Sequence, residues 1–158
     1  MFYEICQTPL GKFYALESRG FLVGFLPFLK QGDFQRQQTS LLKETKNQVQ
    51  AYFDRRLKTF DLPLNFCGET FQQKVWQEIK RIPYGEVRSY KQIAKQLHSK
   101  AFRAVGSICG KNPLCIIVPC HRVVSSGFSE RNLKLIGGYA MGLEAKKFLL
   151  HLEGSLLI

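Results

Sequence analysis

The chain has 158 residues, 45% of them apolar, enough to bury a core as one domain or as two small ones, so disorder is not the starting assumption. Lys and Arg outnumber Asp and Glu by 23 to 12, a formal charge of +11. That balance points to nucleic acid first and an anionic membrane surface second, with a merely well-solvated basic surface as the plain alternative.

The five cysteines (Cys6, Cys67, Cys109, Cys115 and Cys120) lack the number and spacing of a disulfide framework, and no basic stretch followed by an apolar leader opens the chain. No apolar run approaches the roughly 18 residues of a membrane span, since Gly24 and Pro27 interrupt the segment from Phe21 to Leu29. The expectation is a soluble protein of the reducing cytoplasm. Residues 1–66 carry 9 basic and 6 acidic side chains, and residues 67–158 carry 14 and 6, so the second part is the better candidate for a phosphate-binding surface.

Residues 2–7, 12–17 and 21–26 are short aromatic and aliphatic runs separated by Thr8-Pro9-Leu10-Gly11 and Ser18-Arg19-Gly20, which reads as an antiparallel three-stranded meander. From about Thr39 to Leu57, Leu42, Thr45, Val49 and Tyr52 or Phe53 recur at helical spacing, one amphipathic helix to cover that sheet. Pro63 and the following Asn65 to Gly68 break both periodicities. A boundary therefore falls between about residues 60 and 69, with domains taken as 1–66 and 67–158.

Thr70 and Gln73 look like a capping box ahead of Phe71, Val75, Trp76 and Ile79, a helix stopped by Pro83-Tyr84-Gly85. Ser89 and Gln92 repeat that signature before Tyr90, Ile93, Ala94 and Leu97. After a break at His98-Ser99 a second stripe runs through Ala101, Val105 and Ile108, so the pair suggests a helix-turn-helix. Ala104, Gly106 and Ser107 on the second helix suit close approach either to a nucleic-acid strand or to another helix. Asn112-Pro113 ends it, Ile116-Ile117-Val118 reads as an apolar strand, and Pro119-Cys120-His121-Arg122 interrupts that strand before Val123-Val124. A last helix from Leu143 to Glu153 places Ala145, Phe148, Leu149 and Leu152 on one face and stops at Gly154.

Cys120-His121 supplies a nucleophile and a base, because a histidine both accepts a thiol proton and stabilises the resulting thiolate. Neighbours on an extended strand point to opposite faces, so Pro119 must break the geometry or a water must bridge the gap. A buried inert thiol, a metal site or coincidence are the bland readings of such a pair. A given tetrapeptide such as Pro119-Cys120-His121-Arg122 arises by chance in about one chain in a thousand of this length, so the longer string carries weight.

Ile117-Val118-Pro119-Cys120-His121-Arg122-Val123-Val124 resembles the heart of the O6-alkylguanine-DNA alkyltransferases. The likeness extends in family order through Phe71 to Trp76, Ile82 to Val87, Ser89-Tyr90, Arg103 to Gly106, Lys111-Asn112-Pro113, Gly138-Tyr139 and Gly142-Leu143 to Leu152-Glu153-Gly154, covering residues 69–154. The N-terminal third matches only in its pattern of strands and helix.

The resemblance implies an α+β fold, a small ribonuclease-H-like antiparallel sheet with a helix followed by a winged-helix-like helix-turn-helix domain carrying the active cysteine. It implies a monomeric DNA-repair methyltransferase that flips an O6-alkylated guanine, and an O4-alkylated thymine too, out of duplex DNA and moves the alkyl group irreversibly onto Cys120. Catalysis falls to Cys120, His121, Glu153 and Tyr90, with Glu153 orienting His121 and the Tyr90 hydroxyl donating to the leaving guanine. Contact with DNA falls to Ser89, Tyr90, Lys91, Ser99, Arg103, Gly106, Lys111 and Ser126, with Arg103 filling the vacated position from the minor groove. Cys115, Val123, Tyr139, Ala140 and Met141 line the base pocket, and Asn112 ties the recognition helix to the cysteine segment.

No cofactor and no metal are expected; some relatives hold zinc through N-terminal Cys and His, but no His precedes His98 here. Cys115 stands where relatives often have proline and Met141 where many have glycine, which narrows the pocket for bulky alkyl groups. The loop from Ser125 to Ile136 is longer than in many relatives and carries Arg131 and Lys134. Two other readings compete: a lesion-binding module that transfers nothing, and a cysteine hydrolase that turns over on Cys120, His121 and Glu153.

Overall fold

A computed structural model describes residues 1–157, in two compact units: Met1–Cys67 together with Pro113–Ile117, and Gly68–Asn112 together with Val118 onward. The secondary structure is mixed α and β.

In the first unit β1 (Phe2–Thr8), β2 (Gly11–Ser18) and β3 (Phe21–Leu26) form the expected meander. A fourth strand, β4 (Gln35–Arg36), adds parallel to β1 and gives the order β3-β2-β1-β4. Alternation buries Cys6, Phe13 and Ala15, and a register shift opposite Leu16–Glu17 lets Leu22 and Phe25, three residues apart on β3, both be buried. The helix α1 (Ser40–Phe53) begins where the Thr39 hydroxyl accepts the Leu42 amide at 3.1 Å, and it buries Leu42, Thr45, Val49 and Tyr52. The open edge of β3 is closed by two loop segments. Leu22 exchanges bonds with Pro63 and Asn65, and Phe25 with Pro113 and Cys115, at 2.8–3.1 Å.

That last pairing corrects the sequence reading, since residues 116–118 form no strand. Leu114 makes a single bridge to Phe25, and the backbone turns at Ile116 with φ of +70°. Burial on every side makes the run apolar, and such a run looks the same in a strand or a packed turn.

The second unit contains α2 (Thr70–Lys80), β5 (Arg88–Ser89), α3 (Tyr90–Gln96), α4 (Phe102–Cys109), β6 (Val123–Val124) and α5 (Leu143–Leu152). The α2 cap lies one residue earlier than expected: Gln72 Oε1, not a Gln73 oxygen, accepts the Glu69 amide at 3.2 Å. Val75, Trp76 and Ile79 of α2 are buried, and Trp76 Nε1 donates to Ile108 O of α4 at 3.2 Å. The α3 capping box forms as read, Ser89 Oγ accepting Gln92 N at 3.1 Å and Gln92 Oε1 accepting Ser89 N at 2.7 Å.

Helix α3 ends in a Schellman turn with His98 in the left-handed position, φ +52°; Ser99 N bonds Ala94 O at 2.9 Å and His98 N bonds Lys95 O at 3.0 Å. The same turn closes α5, where Gly154 has φ +80° and Ser155 N bonds Leu150 O at 2.9 Å. Residue 153 is thereby fixed at the helix end. The face that α5 buries is Lys146, Leu149 and Leu150, continued by Glu153, while Phe148 is exposed. The stripe expected through Ala145, Phe148 and Leu152 is thus rotated, because two of the inward positions, Lys146 and Glu153, carry charged groups that an apolar stripe leaves out. No helix among the described residues is long and apolar enough to cross a membrane.

Candidate active site

Pro119 does break the chain direction. Its ψ of +62° leads into a 3₁₀ turn over Cys120–Arg122, closed by Arg122 N to Pro119 O at 2.9 Å. A 3₁₀ turn rotates successive side chains by about 120° rather than about 180°. Cys120, His121 and Arg122 therefore all enter the interior of the unit, at 3%, 0% and 6% exposure. Asn112 at the end of α4 braces this segment, its Nδ2 donating to Val118 O at 2.9 Å.

Glu153 gathers the turn. Its Oε1 accepts His121 Nε2 and Arg122 Nη2, both at 2.8 Å, and its Oε2 accepts Arg122 Nε at 2.9 Å, a two-pronged guanidinium–carboxylate pair. Burial by itself would raise this carboxyl, but the hydrogen bonds and positive charge of His121 and Arg122 bring it down to about 2. Arg122 Nη1 donates to Ile82 O as well, at 2.6 Å.

Burial pulls His121 below its ordinary pKa, against the pull of Glu153 and with help from the cations Arg122 and Lys146. Its resting form is thus a neutral imidazole with the proton on Nε2, directed at Glu153. The buried Nδ1 has no hydrogen-bond partner among the described residues, leaving a lone pair ready to accept a proton.

Beside this array lies a cavity of about 420 Å³ lined by Tyr90, Gly106, Cys109, Gly110, Ser125 and Gly137–Ala140. Tyr90 stands at the start of α3 with its ring against the Gly137 backbone, where φ is +78° and an added Cβ would lie 2.6 Å from Oη. Burial, and then the negative charge of the Cys109 and Cys120 sulfurs, pushes the phenol up to about 12, so it stays a donor. Its hydroxyl points at Gly138 O, 3.4 Å away. A larger cavity of about 650 Å³ between α2 and α3, lined by Glu78, Arg81, Arg88, Lys95 and His98, holds none of these groups.

Cys120, His121, Glu153 and Tyr90 thus gather within one unit. Tyr139 and Ala140 reach the cavity wall. Cys109 also lines that wall; Cys115 belongs to the first unit, where its amide is bonded to Phe25 O, and burial pushes its thiol up to about 11. Val123 is packed inward from β6, and Met141 sits in the turn closed by Gly142 N to Tyr139 O, so neither lines the cavity. Of the residues expected to meet DNA, Gly106 borders the cavity, Ser89 and Ser99 cap local turns, and Lys91, Arg103, Lys111 and Ser126 are exposed. Lys91 and Arg103 flank the exposed Phe102 ring at 5.3 and 6.0 Å.

Sequence reasoning gave no role to Arg122 or Lys146. Lys146 is fully buried, donating to Val123 O at 2.5 Å and Gly138 O at 3.0 Å, and burial pulls it down to about 8. The available signal was its spacing: 146, 149, 150 and 153 repeat as one helical stripe.

Residues 70–155 match the family model described as 6-O-methylguanine DNA methyltransferase, DNA binding domain. The methylated-DNA–protein-cysteine methyltransferase of Methanosarcina acetivorans is 43% identical over 98% of this chain and 99% of its own length. The constitutive enzyme of that name from Bacillus subtilis is 42% identical over 96% and 94%. The crystal structure of Mycobacterium tuberculosis OGT in complex with DNA superposes with a TM-score of 0.88 at 34% identity, covering 98% of this chain and 94% of that one. With its cysteine, histidine and glutamate gathered in the matched segment, the chain belongs to the 6-O-methylguanine DNA methyltransferase family.

Proposed function

We propose that this chain repairs alkylated DNA by a single, irreversible transfer of the alkyl group from guanine O6, and from thymine O4, to Cys120. The observation that carries the reading is the buried neutral His121, locked by Glu153 on one nitrogen and open on the other. Nδ1 accepts the thiol proton of Cys120 through a bridging water, as a positioned base does in a triad. The thiolate attacks the alkyl carbon, the carbon–O6 bond breaks, and its electron pair leaves on the guanine, to which the Tyr90 hydroxyl donates. The thioether has no good leaving group, so each molecule acts once.

An alkylated O6 in the base stack offers no in-line approach, so the base must be extruded at a cost of a few kcal/mol. The exposed Arg103 on α4 is suited to fill the gap, and Gly106 leaves the backbone of α4 close to the strand. Ser89, Lys91, Ser99, Lys111 and Ser126 supply phosphate contacts around it. The finer fold assignments belong to this reading: a ribonuclease-H-like first unit, and α3, α4 and the β5–β6 pair as a winged-helix-like reader of DNA. A monomer in a reducing cytoplasm suffices, since one cysteine and one base are the reactants.

Intact mass spectrometry after mixing with an O6-methylguanine duplex tests the proposal. The expected gain is one methylene, about 14 Da, on Cys120 and absent in Cys120→Ala. Tight lesion binding with unchanged mass would make the chain a binding module, and repeated turnover would make it a hydrolase.

A further inference from the structure

Helix α4 buries Val105, Ile108 and Cys109, but its first residue, Phe102, keeps 38% of its surface exposed. A lone exposed phenylalanine is ordinary; the surroundings of this one are not. Two exposed cations from different helices attend the ring, Lys91 Nζ of α3 at 5.3 Å from its centre and the Arg103 guanidinium at 6.0 Å. No ion pair engages either cation among the described residues. An apolar protein surface docking here would strip both charges of water without compensation. A nucleic acid offers a flat base to the ring and phosphates to the cations.

The helix sets this ring beside the candidate active site. Successive residues turn by about 100°, so Phe102, Gly106, Cys109 and Gly110 fall on one side of α4. The last three line the cavity, and a Cβ added to Gly106 would lie 3.7 Å from the Tyr90 ring. The stripe is thus a shallow floor with one raised end. Helical side chains lean toward the N-terminus, so Phe102 stands beyond that floor rather than over it. It starts about 6 Å along the axis from Gly106, close to two stacked base steps.

We propose that Phe102 is a stacking wedge: once the alkylated base has entered the cavity, the ring packs on the base pair beside the gap, while Lys91 pairs with the adjoining phosphate. The opened duplex is then held by two residues, Arg103 in the vacated position and Phe102 next to it. Apolar wedges act in this way at unstacked minor-groove steps, where the new contact offsets part of the cost of unstacking. The inference rests on base extrusion and alkyl transfer as proposed above.

Single-turnover transfer at subsaturating protein is measured for the wild type, Phe102→Ala and Phe102→Trp, on an O6-methylguanine duplex and on free O6-methylguanine. Phe102→Ala is expected to lower the second-order rate on the duplex about ten- to a hundredfold, and Phe102→Trp, which keeps a flat face, to retain it. Both variants match the wild type on the free base, which has no stack to open. Duplexes with an abasic position directly 5′ or directly 3′ of the lesion locate the contact. In one of the two the Phe102→Ala penalty disappears, because the ring has lost its base. The salt dependence of the duplex rate is the same in the wild type and Phe102→Ala, since no charge has been removed.

A wild-type duplex rate in Phe102→Ala overturns the wedge, as does a penalty that survives in both abasic duplexes. An equal loss on the free base would mark the ring as a support for the cavity, and a changed salt dependence would mark it as a support for Lys91; either result overturns stacking. A wild type that takes no methyl group from duplex or free base is a different failure, that of the transfer itself.

Discussion

Replacing Glu153 by glutamine keeps the shape of the buried cluster and removes its charge. In the folded protein the carboxyl is held at about 2 against an ordinary 4.5, a difference equivalent to about 3 kcal/mol in favour of the ionised form. A carboxyl lowered on folding stabilises fully above its unfolded value and loses that contribution as pH falls through the folded one, so the window runs from about 4.5 down to about 2. Glu153→Gln also leaves the Arg122 guanidinium buried at 6% exposure without its anion. Breaking such a pair from one side costs about 3–5 kcal/mol, or roughly 10 °C in Tm. Urea unfolding followed by circular dichroism from pH 7 to pH 2.5 is the assay. The stability gap between wild type and variant is expected to be widest at pH 7 and to close below pH 4.5. The double variant Arg122→Met/Glu153→Gln is expected to recover much of the loss, because neither half of the pair then remains alone. A variant as stable as the wild type at pH 7, or a gap that does not narrow in acid, would refute the assignment of Glu153 as the buried anion of this cluster.

Two further outcomes follow from the same geometry. Gly137→Ala forces a Cβ to within 2.6 Å of Tyr90 Oη at a backbone φ of +78°, so transfer is expected to fall to the level of Tyr90→Phe while Cys120 still reacts with iodoacetamide; an unchanged transfer rate would show that Tyr90 need not rest there. Because burial pulls His121 below its ordinary 6.5, the single-turnover rate is expected to fall in acid with a midpoint below pH 6.5. A midpoint at or above 6.5, from rates measured between pH 5 and 8, would contradict a neutral resting imidazole.

The elements that the sequence revealed are those in which one face is wet and the other dry. The stripe Leu42, Thr45, Val49 and Tyr52 lies on one surface helix and is buried as spaced, and the Ser89–Gln92 cap forms because its partners are local. Where burial is complete the pattern loses its phase. Residues 116–118 are apolar because they are enclosed, and nothing in their composition announces the left-handed Ile116. Cys109, to which the resemblance gives no role, lines the cavity wall, and Cys115 pairs its amide with Phe25 of the sheet. Such a choice depends on contacts between distant segments, which spacing does not encode.

The larger omission has a single cause, since charged side chains are assigned to solvent by default and this site is built from four that are not. Glu153, His121 and Arg122 satisfy one another, and Lys146 is satisfied by backbone. The cost of removing these groups from water is met on folding, by partners already in place, rather than at the moment of reaction. A nucleophile flanked by fixed charges needs no rearrangement of solvent as negative charge moves from sulfur to the leaving base. The same logic explains why His121 is more useful neutral than charged: an imidazole already bearing two protons could not take another from Cys120. Glu153 therefore has to fix the imidazole without fully charging it, and Arg122 makes that possible by drawing the carboxylate's negative charge toward the guanidinium. On the proposed reading Arg122 acts through Glu153 and His121, since it bonds the carboxylate that holds the imidazole.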